Sequence, residues 1–249
     1  MAARKMRETF RASVPKYAQD SGFIEDAIGA RPLRGIYAVS DGASESFDSA
    51  TWARLLVRRF VDAPLLVRRF VDAPDVNHGW LHKTVACYNR QFDRETMSWS
   101  AQAAFDRGSF ATLTGVVLRS GGTLATILGV GDSIALLADG HTLVKSFPYD
   151  RPEQFKQRPI LLSTVSERNR RVFTRPTSSY ARHWSLRNLS FPVILLMTDA
   201  LAAWVLREPG TRIQALLGVR TQTRFAALVE HERRFRRMVR DDTTLLVIR

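Results

Sequence analysis

Asp41, Asp199 and Asp241 are the residues of this chain best suited to chemistry, because each stands where an apolar run begins or ends. The runs read GIYAVS before Asp41-Gly42, VILLMT before Asp199, and TTLLVI after Asp241-Asp242. A further acidic motif, IEDA, carries Glu25 and Asp26. An apolar run that ends in a carboxylate is how a buried strand delivers an oxygen ligand to the rim of a sheet. Several deliveries from distant parts of a sequence suggest carboxylates converging on hard divalent cations. No Cys/His cluster with zinc-ligand spacing accompanies them.

The elements that must position these residues follow from the same pattern. Gly35 to Ser40 reads as a buried strand ending at an Asp-Gly turn. Ser49 to Val61 reads as a helix, with Leu55, Leu56 and Phe60 at helical spacing and Pro64 as its stop. Leu81 to Met97 reads as a second helix. Ser109 to Leu118 and Thr123 to Ala138 read as strands, antiparallel because their connection is too short for a crossover helix. Phe147 to Thr177 reads as an irregular, Arg/Pro-rich excursion. Val193 to Thr198 is a buried strand, Ala200 to Leu206 starts a helix, Ile213 to Met238 supplies more helix, and Thr243 to Ile248 is a last strand. Residues 1–20 carry little pattern, and 1–11 are expected to be an arm ahead of a single domain over 12–249. The class is α+β with largely antiparallel sheets.

An unbroken repeat interrupts this order: LLVRRFVDAP at 55–64 recurs unchanged at 65–74. Ten residues rotate a helix by about 1000°, some 80° short of whole turns, so the copies cannot bury the same face. One decapeptide repeated once also builds no solenoid.

Composition bounds the partners. With 249 residues, 45% of them hydrophobic, the chain can bury one substantial core. Asp199 interrupts the longest apolar stretch, so no segment is expected to span a bilayer, and the opening MAARKMRETFR has no apolar run of a signal peptide behind it. The lone Cys87 fits a reducing, cytoplasmic setting. Lys and Arg number 37 against 24 Asp and Glu, a net charge of +13. The excess is spread through Arg pairs with no basic stripe interleaved with aromatics, so charge alone supports a nucleic-acid-associated protein. The histidines at 78, 82, 141, 183 and 231 share no ligand spacing.

Taken in order, six motifs resemble those of the metal-dependent protein phosphatases, the PPM or type 2C family, in a divergent bacterial-type form. They are IEDA, SDGAS, GSFATL (Gly108 to Leu113), GVGDSIALL (Gly129 to Leu137), LMTDALAAW and DDTTLLVI. The resemblance covers about residues 12–249. It implies a central β-sandwich of two antiparallel sheets flanked by helix pairs, in α-β-β-α layers. It also implies two Mg²⁺ or Mn²⁺ ions in a cleft at one end, with metal-activated water hydrolysing phosphomonoesters on Ser/Thr of a phosphoprotein.

Carried over by position, Asp41 would bridge the ions and Gly42 would lend its carbonyl. Glu25 and Asp26 match the first acidic pair, and Asp199 and Asp241 would hold the other ion. Asp242 stands where Asn is common, as a supporting residue or alternative ligand. Asp132 would order its hairpin, and Asp150 matches an acid for a weaker third ion. Three departures stand out. Ser21 occupies the position of the family's phosphate-binding arginine, leaving Lys16 as the nearest cation, either a phosphate ligand or a plain surface lysine. The DG motif lacks a histidine. Ala200 replaces the usual glycine after Asp199 in LMTDALAAW. These departures keep open a pseudophosphatase, a signalling or scaffold module that retains the fold.

Overall fold

The computed structural model describes residues 6–17, 23–62, 78–176 and 179–249. Its strands are β1 (Glu8–Val14), β2 (Ala27–Arg31), β3 (Ile36–Ser40), β4 (Phe110–Ala111), β5 (Leu113–Arg119), β6 (Leu124–Val130), β7 (Ile134–Asp139), β8 (Thr142–Phe147), β9 (Leu162–Ser163), β10 (Ala181–Ser185), β11 (Pro192–Met197) and β12 (Thr243–Ile248). The helices are α1 (Ser49–Asp62), α2 (His78–Asn89), α3 (Trp99–Arg107), α4 (Arg170–Phe173), α5 (Asp199–Arg207), α6 (Pro209–Gly218) and α7 (Gln222–Arg234).

Two five-stranded antiparallel sheets stack face to face, one in the order β1-β12-β11-β7-β8 and the other β10-β6-β5-β3-β2. Alternation along each central strand feeds two different cores. In β11, Val193, Leu195 and Met197 face a cluster with α5, α6 and α7, while Ile194 and Leu196 face the layer between the sheets. In β3, Ile36 and Ala38 face α1 and α2, while Tyr37 and Val39 face the inter-sheet layer. Burial on both faces is why these strands read as unbroken apolar runs although they pair antiparallel.

Helix α1 lies close on its sheet because Gly115 leaves room for Phe60. A Cβ at that glycine would fall 2.4 Å from the Phe60 ring. The helix buries Trp52, Ala53, Leu56, Val57, Phe60 and Val61.

The expected strands at 35–40, 193–198 and 243–248 are present, as are helices α1 and α5, while 109–118 divides into β4 and β5 and 123–138 into β6 and β7, which belong to different sheets. Several expectations need correction. The arm over 1–20 is, at Glu8–Val14, the edge strand β1 paired with β12. Its Phe10, Ala12 and Val14 alternate inward, a period that the intervening Arg11 and Ser13 masked. The helix expected over 81–97 ends at Asn89, with a separate 3₁₀ turn at Arg94–Thr96. The stretch 213–238 is two helices, because Thr221 caps α7 by accepting a hydrogen bond from the Arg224 amide at 3.3 Å. Beyond these, the edge strands β8 and β10 form where polar residues alternate in, and among the described residues short 3₁₀ turns, the two-residue β9 and the one-turn helix α4 interrupt the expected irregular region. Among the described residues no helix is long and apolar enough to cross a membrane.

The second copy of the repeat, 65–74, lies outside the described residues. The first copy already supplies Leu56, Val57, Phe60 and Val61 to the core. Deleting 65–74 is therefore expected to leave the far-UV circular dichroism unchanged and the melting temperature within about 4 °C of the parent. Loss of soluble protein would show instead that the second copy is part of the core.

Candidate metal centre

Several strand ends and one interstrand turn meet at a single end of the sandwich. Asp26 precedes β2 and Asp41 follows β3, and the pairing of Ala27 with Ser40 sets the two side by side. Asp199 follows β11 and Asp241-Asp242 precedes β12, with Met197 opposite Leu245. Asp132 sits in the turn by which β6 of one sheet passes to β7 of the other.

Hydroxyl groups tie these ends together. Thr198 Oγ1 donates to Asp26 Oδ2 at 3.0 Å and accepts from the Thr244 amide at 3.0 Å, linking the two sheets. The Asp41 amide donates to Thr112 Oγ1 at 2.9 Å, and the Asp41 carbonyl accepts from the Thr112 amide at 2.9 Å. Thr112 Oγ1 is in turn 2.7 Å from Ser133 Oγ, in the turn that carries Asp132. Gly42 is required by close approach: a Cβ there would lie 2.9 Å from the Glu25 carbonyl oxygen and from the start of α1 at Ser49.

The electrostatics are strongly unfavourable. Burial pushes the Asp41 carboxyl well above the usual carboxylate range, and the charges of Asp26, Asp199, Asp132 and Asp241 push it further. Asp41 keeps some solvent access, yet its carboxyl lies deep among protein atoms, and desolvation there outweighs each neighbouring charge. Asp26 is also raised well above that range, by burial first and then by Asp242 and Asp199, although hydroxyls of Thr244 and Thr198 offset part of the shift. Asp199 is raised to about 7 by burial and by Asp132 and Asp241. Asp132 is raised to about 6 by burial and by Asp241. Among the ion pairs of the described residues, one cation reaches this cluster: Lys16 Nζ stands 3.5 Å from Asp241 Oδ1.

The structure thus brings Asp26, Asp41, Asp132, Asp199 and Asp241 together, with Lys16 at their edge. Other expected site residues have their oxygens engaged elsewhere. The Glu25 carboxylate accepts a short hydrogen bond from the Ser49 hydroxyl. Asp242 accepts from two backbone amides, those of Lys16 and Glu25, each at 2.6 Å. Asp150 is exposed and pairs with Arg151 at 3.6 Å. Ser21 lies outside the described residues. Among the described residues no group of three or more His, Cys, Asp or Glu side chains is placed so that it could hold a metal ion. The donor set nevertheless fits hard divalent cations. It is all oxygen, its members repel one another, and the buried Asp26 Oδ1 has no hydrogen-bond partner.

Four supporting residues were not anticipated. Ser133 and Thr198 sit beside aspartates in their motifs and Thr112 sits in GSFATL, and those positions were the available signal. Arg233, with a side chain 0% exposed, donates to the carbonyls of Pro15 at 2.8 Å and of Asp241, and to Thr243 Oγ1 at 3.0 Å. In sequence it is one of several arginines at the end of a helix, and nothing marks it.

No protein-family model and no curated protein matches this sequence. Solved structures do. The Mycobacterium tuberculosis serine/threonine phosphatase PstP/Ppp superposes with a TM-score of 0.62 at 17% identity, covering 98% of this chain and 97% of that one. The catalytic domain of PstP in complex with two manganese ions gives a TM-score of 0.57 at 18% identity, covering 98% and 97%. This chain has the PPM phosphatase fold. PppA, described as a key regulatory component of T6SS in Pseudomonas aeruginosa, shares that fold with a TM-score of 0.52 at 23% identity, covering 99% and 98%.

The raised carboxyls make a signed prediction. A carboxyl whose pKa is higher in the folded state binds its proton more tightly there, so its favourable effect is present at low pH and is lost as pH rises. For Asp132 and Asp199 the window opens near the ordinary value of about 4 and closes near about 6 and about 7. Glu232, lowered to about 2 by Arg237, loses its contribution only in acid, below that window. The metal-free protein should therefore show a melting temperature that falls from about pH 5 to about pH 8. Mn²⁺ at about a hundredfold its Kd should restore about 2.7 kcal/mol, or roughly 5–10 °C. A flat metal-free profile would contradict the buried-carboxylate cluster.

Proposed function

We propose that this chain is a metal-dependent protein serine/threonine phosphatase that hydrolyses phosphomonoesters with two Mg²⁺ or Mn²⁺ ions. The observation that carries this reading is the convergence of Asp26, Asp41, Asp132, Asp199 and Asp241 at one end of a PPM phosphatase fold, a fold shared with a phosphatase that binds two manganese ions. When bound, such ions would neutralise the carboxylates and acidify a water for attack on phosphorus.

The chain's own residues support distinct roles. Asp41 feels the charges of four other carboxylates, more than any of its neighbours, which suits it to bridge two cations. Asp26, with its orphaned oxygen, and the Gly42 carbonyl would serve one side of Asp41, and Asp199 and Asp241 the other. Glu25 and Asp242 would act through the backbone and hydroxyl contacts they already make. Lys16, held beside Asp241, supplies a positive charge for a phosphoryl oxygen at the rim. Ala200 does not count against activity. It lies inside α5, a conformation open to any L-residue, and its amide donates to Asp199 Oδ1 at 2.5 Å.

The single cysteine supports action in a reducing cytoplasm, and the fold shared with bacterial phosphatases supports phosphoproteins of a bacterial signalling system as substrates. The test is hydrolysis of p-nitrophenyl phosphate and of a phosphoserine protein with and without Mn²⁺, in the parent and in Asp41→Asn. The variant is expected to lose at least about a thousandfold in kcat, since bridging-charge stabilisation supplies several kcal/mol. It should also melt at a higher temperature than the parent without metal, because a repelling buried charge is gone. A parent inactive with Mn²⁺ would leave a pseudophosphatase, and activity in Asp41→Asn within about twofold of the parent would sink the two-metal assignment.

A further inference from the structure

Asp241 and Asp242 are neighbours at the start of β12, but their carboxylates have different surroundings. Asp241 Oδ1 faces Lys16 Nζ and raises the pKa of Asp199 and Asp132 by its charge. Asp242 is buried, 7% exposed, and each of its oxygens accepts one backbone N–H: Oδ1 from Lys16 and Oδ2 from Glu25, both at 2.6 Å. Such charge-assisted bonds are about twice as strong as neutral ones.

The two amides belong to residues tied to different aspartates of the site. Lys16 carries the cation at Asp241, and Glu25 directly precedes Asp26. Arg233 grips the same segment next to Lys16, at the Pro15 carbonyl, while also holding the Asp241 carbonyl and Thr243. We propose that Asp242 is a positioning residue rather than a metal ligand, holding Lys16 and Glu25 at a set separation so that the Lys16 ammonium stands over Asp241 to receive phosphate.

Side-chain chemistry explains why the residue is Asp. A carboxylate offers two acceptor oxygens, whereas the Asn amide offers one and would turn its NH₂ toward the second backbone donor. One buried N–H would then lose its partner, a cost of about 1–3 kcal/mol. The proposal rests on the phosphatase reading for what Lys16 binds, but the contacts can be tested without turnover.

Two measurements on the unaltered protein come first: amide hydrogen exchange at Lys16 and Glu25, with and without saturating Mn²⁺. Both amides should stay protected when Mn²⁺ binds. Loss of that protection would mean that Asp242 leaves them for the ion, and the proposal would fall. In Asp242→Asn, exchange at one or both amides should quicken by about tenfold or more, matching a loss of about 1.4 kcal/mol. Its Mn²⁺ affinity by calorimetry should stay within about threefold, and its affinity for inorganic phosphate with Mn²⁺ present should fall about tenfold. Lys16→Ala should weaken phosphate equally, and the double variant should be no worse than Lys16→Ala alone, because one residue acts through the other. Mn²⁺ affinity falling more than about tenfold, or phosphate losses that add, would overturn the proposal. A parent that binds phosphate in this pattern but never hydrolyses p-nitrophenyl phosphate would refute the enzymatic reading and leave this one standing.

Discussion

Asp41 lies within reach of the charges of Asp26, Asp199, Asp132 and Asp241, in surroundings that strip away much of the water that would screen them. Burial of these carboxyls, with their mutual repulsion added to it, is what the surrounding fold must withstand. A flexible loop would relieve it by letting the carboxylates swing apart. Here they hang from strand ends whose neighbouring residues are locked in ladders and covered on both faces. The Leu and Ile side chains buried in the inter-sheet layer, each contributing about 2 kcal/mol, oppose that cost.

Buried hydroxyls do the finer work. Thr198 joins an aspartate of one sheet to a strand end of the other, and Thr112 with Ser133 ties Asp41 to the turn that bears Asp132. Each is a neutral donor or acceptor, so it can brace a carboxylate without neutralising it. An arginine in the same positions would have stabilised the fold more and destroyed the affinity for cations. The chain keeps its buried guanidinium, Arg233, on carbonyl oxygens and a hydroxyl next to the site, and gives its charge to Glu230 at 2.6 Å, away from the carboxylate cluster.

Much of this was legible in the sequence because one physical rule covers it. An apolar run long enough for a strand and bounded by Asp at one end gave Asp41, Asp199 and Asp241 together with β3, β11 and β12. Edge strands were not legible: β1 and β10 carry arginines and a histidine on their open faces, so their burial alternates only partly. β8 is mostly exposed and its pattern is weaker still. The site's carboxylates were readable, but the partners of each oxygen were not, since those depend on which backbone amides the fold brings near. Asp242 shows the difference. Its position next to Asp241 suggested a ligand, and only the folded chain puts two amides from 217 and 226 residues away on its oxygens.

The departure at Ala200 illustrates the same limit from the other side. In sequence, a glycine replaced by alanine after a strand-ending aspartate suggests a turn that has lost its freedom. In the structure there is no turn to strain, since α5 begins at Asp199 itself and Ala200 is its second residue, 3% exposed. The helix start gives Asp199 a second constraint, because its own carboxylate accepts from the Ala200 amide at the positive end of the helix. That contact lowers the pKa of Asp199 while burial and the neighbouring aspartates raise it. The substitution therefore leaves intact what the site asks of this position: a carboxylate aimed by a helix start, ionised as soon as positive charge arrives.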